Sequence, residues 1–226
     1  LRRLTANEYN NTIRDLFGYS DNADWLEQAP GFETHLSGYE PEAVIWPFKF
    51  PKELGVDGFE GYANGQIASP YAIEQYSKAA AHFAQFVLTA PNFSTCGSWA
   101  SLPNEGKQAC AQESIAQFAT RAYRRPLSVD DLSRLQDFHS TNVSQWGVDD
   151  GTILTIQGIL QSPHFLYLVE YGNPITLGTE QTHKVESLTS WDMASRLSFF
   201  FWDSMPDSEL FAEATRNSLT TEEQVR

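Results

Sequence analysis

The chain is short of cations. Fifteen Lys and Arg stand against 29 Asp and Glu, for a formal net charge of -14 and a pI near 4.6. That balance excludes a nucleic-acid surface, which needs a basic face to neutralise phosphates, and adhesion to anionic lipid. Long apolar runs are missing as well. No stretch approaches the roughly 18 to 20 residues that cross a bilayer, so no transmembrane segment is expected. Cysteine is nearly absent, with only Cys96 and Cys110. The 13 residues between them rule out a Cys-x-x-Cys redox or haem motif, and none of the five histidines is near enough in sequence to complete a zinc site. The two either pair as a disulfide, worth roughly 3 kcal/mol through loop closure and pointing to an oxidising compartment, or remain buried thiols.

Catalytic patterns are missing too. His35, His82, His139, His164 and His183 are dispersed, with no HxxxH spacing. There is no glycine-rich phosphate loop, no Gly-x-Ser-x-Gly elbow and no Cys/His dyad. A carboxylate pair for glycoside chemistry cannot be nominated among 29 candidates. Asp149/Asp150 and Asp203/Asp207 are acidic pairs that either bind Ca²⁺ or sit at helix N-termini, and neither follows the twelve-residue EF-hand loop.

What is present is a folding sequence: 41% hydrophobic and 13% aromatic over 226 residues, enough for a substantial core. Helix punctuation dominates it. Thr5-Ala6-Asn7-Glu8 is a capping box with Leu4 and Tyr9 as its hydrophobic staple. Tyr9, Ile13, Leu16 and Phe17 then share a face until Gly18. Ser69-Pro70 supplies an N-cap and an N1 proline, followed by Ile73, Tyr76, Ala80, Phe83, Ala84 and Val87. A helix carrying Cys110, Ala111, Ile115, Phe118, Ala119 and Ala122 runs to Tyr123.

Ser128 and Asp131 cap the next helix, with Leu132, Leu135 and Phe138. The stretch Ile153–Leu160, apolar on most sides, reads as a central buried helix. Residues 171–186 read as a linker or small hairpin. Thr189 and Asp192 cap a helix whose Met193, Ala194, Leu197, Phe200 and Phe201 are expected in the core. Ser204, with Pro206 near N1, is expected to cap a short helix through Phe211.

The fold class is therefore all-α, about seven helices in an irregular array. Its exception is a long aromatic-rich irregular segment over 19–68, which holds nine acidic residues against Lys49 and Lys52. That segment is either a wrap pinned by its aromatics or a ligand platform with Trp25 and Trp46 as stacking residues. The whole of 1–226 reads as a single helical unit, with sub-parts 1–91, 92–140 and 141–226. Leu1-Arg2-Arg3-Leu4 enters a helix start directly, and Thr220-Thr221-Glu222-Glu223 caps a helix with no body. The chain thus reads as a mature or excised piece of a larger protein.

In so acidic a chain, Arg121-Ala122-Tyr123-Arg124-Arg125-Pro126-Leu127 stands out. Arg121, Arg124 and Arg125 close a helix, where cations are favoured by the dipole. They either pair with carboxylates or receive an outside anion such as a haem propionate. His164 follows Ser162-Pro163 in an apolar run. It is either a buried histidine donating to a backbone carbonyl, or a metal or haem ligand or general base.

Several of these stretches resemble planctomycete-type domains of unknown function. Leu1 to Thr5 with Glu8 to Gly18 resembles the opening of one. Phe118-Ala119 through Arg121 to Leu127 resembles a second. Leu160 to Tyr167, with Ala194 to Trp202 and Met205-Pro206-Asp207, resembles a third. The resemblance implies a large, secreted or surface-attached bacterial protein that often carries a c-type cytochrome domain ahead of these helices. It supplies no catalytic residues. This chain has no Cys-x-x-Cys-His, so any haem belongs to a separate cytochrome domain and no cofactor is expected here.

The expected function is a non-catalytic helical scaffold or interaction module linked to c-type cytochrome electron transfer, in an extracellular, periplasmic or cell-surface setting. Its partners would be other domains of the same polypeptide or a cytochrome. The alternatives are a polysaccharide-binding or oxidoreductase-associated enzyme domain using segment 19–68, and haem or metal binding through His164.

Overall fold

The computed structural model describes residues 1–19, 69–174 and 186–225. Trp25, Trp46 and all of the aromatic-rich segment beyond Tyr19 lie outside the described residues. The described chain is predominantly helical. It opens with a two-residue strand β1 (Arg2–Arg3) and helix α1 (Ala6–Phe17). In α1 the Thr5 hydroxyl accepts from the Glu8 N–H, the Glu8 carboxylate accepts from the Thr5 N–H, and Gly18 closes the helix in the left-handed region. Helix α2 (Pro70–Ala84) is capped by Ser69. It buries Ala72, Tyr76, Ala79, Ala80 and Phe83, while Ile73, expected inside, is 63% exposed. Small alanines let α2 approach its neighbours closely on that line, which turns the buried stripe one position away from Ile73.

Helix α3 (Asn104–Tyr123) follows a loop pinned to it by the Cys96–Cys110 disulfide, whose Cα atoms are 6.1 Å apart. The next helical stretch, α4 (Val129–Gln161), is not one rod. Gly147, at φ 82° and ψ 172°, breaks it into arms 129–146 and 148–161. A Cβ on Gly158 would lie 2.7 Å from the Phe138 ring, although twenty residues of straight helix span about 30 Å. The arms therefore fold back on each other as a helical hairpin. Gly151 makes this possible, because a Cβ there would stand 2.7 Å from the Val143 backbone. His139 Nε2 to Thr152 Oγ1 (3.2 Å) and Asn142 to Thr155 (3.4 Å) tie the arms together.

A single turn, α5 (Pro163–Leu166), leads into β2 (Tyr167–Leu168), which pairs antiparallel with β1. Strand β3 (Asn173–Pro174) pairs antiparallel with β4 (Glu186–Ser187); residues 175–185 of the expected linker or hairpin lie outside the described residues. Then come α6 (Ser190–Trp202), α7 (Ser208–Thr215) and α8 (Glu222–Val225). Eight α-helices are thus present among the described residues. The count differs from seven because single-turn α5 was not legible, α8 forms a turn after the expected Thr220–Glu223 cap, and two expected helices join through Gly147.

The core is aromatic and draws on α1, α2, α3, α4 and α5. Tyr9 meets Tyr76 and Phe165 edge-on at 5.2 and 5.7 Å, and Phe17 meets Phe83 and Phe118 at 6.4 and 5.6 Å. Such edge-to-face pairs add about 0.5 to 1.5 kcal/mol each beyond their buried area. A smaller cluster of Ala194, Ala214 and Leu219 joins α6 to α7.

Two expectations are corrected here. Phe200 and Phe201 are not core but 79% and 67% exposed; Phe199 takes the buried place. Ser198, fully buried, allows the helix to close in on that side. The cap of α7 is Asp207, whose carboxylate accepts from the Leu210 N–H at 2.8 Å, and not Ser204. The Ser204 hydroxyl is instead buried in a hydrogen bond to Asp15 of α1, a tertiary partner that competes with local capping.

Candidate functional site

The arginine stretch sits at the end of α3, where the chain reverses. Arg124 N–H bonds the Arg121 carbonyl and Arg125 N–H bonds the Thr120 carbonyl, both at 3.2 Å. This is the paired bonding of a Schellman cap, with Arg124 at the left-handed position normally given to glycine. Its φ of 57° costs an L-residue roughly 1 to 2 kcal/mol. The left-handed backbone accompanies a side chain that runs inward instead of out to water.

Arg124 is 4% exposed. Its Nη1 donates to the carbonyls of Ala122 (2.9 Å) and Phe165 (3.2 Å). Its Nη2 donates to those of His164 (3.0 Å), Phe165 (3.2 Å) and Tyr167 (2.9 Å). The guanidinium thereby gathers α3, α5 and β2, with the Phe199 ring of α6 at 5.6 Å. Burial pulls it down to about 10, against the opposing charge of Glu8.

The other two arginines diverge from it. Arg121 reaches α1, where it donates to the carbonyls of Asp15 (2.8 Å) and Leu16 (3.1 Å) near the helix end. That is the favoured sign for a helix C-terminus. Arg125 lies beyond the helix and bonds Asp131 at 2.8 Å. Burial acts to raise the Asp131 carboxyl, but hydrogen bonds from Arg125 and Ser128 overcome it and hold the group well below the usual carboxylate range. The three arginines therefore do not converge on one anion, and two of them serve backbone carbonyls where carboxylates were expected. A guanidinium carries five donors in a planar fork, so one side chain can close several helix-end carbonyls at once.

Beside this joint is a cavity of about 210 Å³. It is lined by Arg124, Arg125 and Tyr171, and by Trp191, Ser195 and Arg196 of α6. The Arg125 guanidinium stands 4.8 Å from the centre of the Tyr171 ring. Asp192 also lines the cavity. It caps α6 through Thr189 and accepts the backbone N–H groups of Tyr171 and Gly172 at 3.1 Å each. Arg196 and Glu170 pair through two parallel bonds.

His164 is half-buried, with Nδ1 3.0 Å from the Tyr171 hydroxyl and the Tyr123 ring at 5.2 Å. Burial first, and then Arg125, lower its pKa. Its partner is therefore a phenol and not the expected backbone carbonyl. Among the described residues, no group of three or more His, Cys, Asp or Glu stands close enough to hold a metal ion. Asp149 takes the Trp99 indole and Lys107, each at 2.8 Å. Asp203 terminates α6 and Asp207 caps α7.

Arg124, Arg125 and the neighbourhood of His164 are thus brought together, while Arg121 and the Cys96–Cys110 pair lie apart from them. Tyr171, Trp191, Glu170 and Arg196 were not legible as site residues. Tyr171 falls in a stretch full of helix breakers, and Trp191 looks like any first-turn aromatic. The one available signal was the Thr189/Asp192 capping box, which placed the start of α6.

Three family models match the chain in tandem. Residues 2–39 match PSD3, protein of unknown function (DUF1587); residues 110–170 match PSD5, protein of unknown function (DUF1595); residues 188–226 match PSD4, protein of unknown function (DUF1592). Leu160 to Tyr167, grouped by sequence with the C-terminal motif, falls inside the 110–170 match. The cavity lies where residues of the second match meet residues of the third. No curated protein and no solved structure matches the chain. With three such domains in series, the chain belongs to the planctomycete-type multi-domain proteins of unknown function.

Proposed function

We propose that this chain is a non-catalytic helical interaction module of a secreted or surface bacterial protein, working beside c-type cytochrome electron transfer. The observation that carries the reading is the aromatic run ending α6. Phe200, Phe201 and Trp202 follow one another at 79%, 67% and 43% exposure. Contiguous exposed aromatics mark interaction surfaces, and aromatic residues are enriched at interface cores. The arginine joint supports the same reading, because its cations hold the ends of helices together and leave the partner surface to α6. The Cys96–Cys110 disulfide favours an oxidising compartment. Haem would reside in a separate cytochrome domain, reached through protein–protein contact.

The test is calorimetric titration of the chain with the cytochrome portion of its own polypeptide, for the native chain and for F200S/F201S. Native binding, weakened at least tenfold by the double substitution, is the expected result. A native chain that does not bind, or an isolated chain that turns over a substrate unaided, overturns the reading.

A further inference from the structure

The cavity beside Arg124 has a charge and hydrogen-bond imbalance that the fold does not use. Its lining carries three guanidinium groups, Arg124, Arg125 and Arg196, against two carboxylates, Glu170 and Asp192. Both carboxylates are fully engaged. Asp192 accepts from the Thr189 N–H and hydroxyl and from two further backbone N–H groups, and Glu170 is gripped by both arms of Arg196. Arg125 has Asp131, but Arg124 donates to carbonyl oxygens alone. A buried cation without an anionic partner is costly, and the lowered pKa of Arg124 expresses that cost.

The lining also holds donors that the fold leaves open. The Trp191 indole N–H and the Ser195 hydroxyl have no hydrogen-bond acceptor among the described residues. The walls that carry these donors are flat rings. Tyr171 is stacked under Arg125, and Trp191 is held by Phe211 at 5.7 Å. The cavity is about 210 Å³. That is the size of one ring with a substituent, smaller than most drug-sized sites.

We propose that this cavity is a binding site for a small ring-bearing carboxylate, whose ring lies against Tyr171 and Trp191 and whose carboxylate meets the Arg124–Arg125 wall. A carboxylate there offsets the Arg124 charge that carbonyl oxygens leave uncompensated, and accepts from the Trp191 and Ser195 donors. The ring supplies what a bare anion such as acetate cannot, a face for two aromatic side chains. The proposal does not depend on the interaction-module reading, since the cavity and the Phe200–Trp202 run are different surfaces.

The chemistry has two sources, a sugar acid or an aromatic acid, and the experiment separates them. The chain would be titrated by calorimetry with galacturonate and with 4-hydroxybenzoate, against their neutral counterparts galactose and phenol. At least one acid should saturate the chain and bind tenfold or more tightly than its neutral counterpart, a difference of about 1.4 kcal/mol. Saturation by galacturonate alone assigns the site to sugar acids, and by 4-hydroxybenzoate alone to aromatic acids.

Ser195→Leu fills the cavity from α6 without touching the arginine joint, and should abolish the binding while leaving the thermal midpoint within a few degrees of native. Arg125→Gln should weaken it at least tenfold if the variant folds, and Ser195→Leu keeps the proposal testable if it does not. If neither acid saturates, if the neutral counterparts bind equally, or if Ser195→Leu binds as the native chain does, the proposal is wrong.

Discussion

Replacing Arg124 tests the central joint. In Arg124→Ala the guanidinium leaves five N–H···O=C interactions, and the carbonyls of Ala122, His164, Phe165 and Tyr167 lose a donor at a largely buried place. A buried acceptor left unsatisfied costs about 1 to 3 kcal/mol. The loss is offset in part, because a buried cation is itself unfavourable. A net destabilisation of about 3 to 5 kcal/mol is expected, a large share of the 5 to 15 kcal/mol typical of a folded domain.

Arg124→Gly removes the same bonds but also relieves the left-handed strain at φ 57°. It should therefore be about 1 kcal/mol less damaging than the alanine variant, apart from the entropy glycine adds to the unfolded chain. Urea unfolding followed by both far-UV dichroism and tryptophan fluorescence gives the midpoints, and coincident transitions justify two-state treatment. An alanine variant within about 0.5 kcal/mol of native, or a glycine variant worse than alanine, would refute the account of the joint.

Three further outcomes follow from the same geometry. Asp131 has a lowered pKa in the folded state, so its contribution is present above the unfolded carboxylate value of about 3.9 and lost as pH falls toward the folded value. Asp131→Asn should be less stable than native at pH 7, and the gap should narrow on acidification below about pH 4, as measured by urea midpoints across pH. Reducing the Cys96–Cys110 disulfide should lower stability by about 2 to 4 kcal/mol, read from denaturation with and without dithiothreitol and checked by thiol titration. Gly151→Ala should cost about 1 to 3 kcal/mol of overpacking, since its Cβ meets the Val143 backbone. Thermal denaturation compared with a Ser144→Ala control checks this.

The helices and their starts were legible because capping is local chemistry. The boxes at Thr5/Glu8, Ser128/Asp131 and Thr189/Asp192, and the Ser69-Pro70 start, each act within three residues. The predominantly helical character follows from them and from the apolar spacing. Misplaced positions were those where a distant partner overrode the local rule. Ser204 bonds Asp15 instead of capping α7, and small Ser198 draws α6 inward so that Phe199, and not Phe200 or Phe201, is buried.

The same division holds at the arginines. Sequence alone determined that three cations end a helix before Pro126, and that an acidic chain must give them something to bind. Where they bind was decided by tertiary structure. The left-handed turn at Arg124 accompanies one side chain that reaches the carbonyls of α5 and β2, while Arg121 reaches α1 and Arg125 stays local with Asp131. No spacing rule encodes this, because a helix-end carbonyl offers its acceptor whatever side chain follows it, and only the packing of distant helices brings a guanidinium within reach.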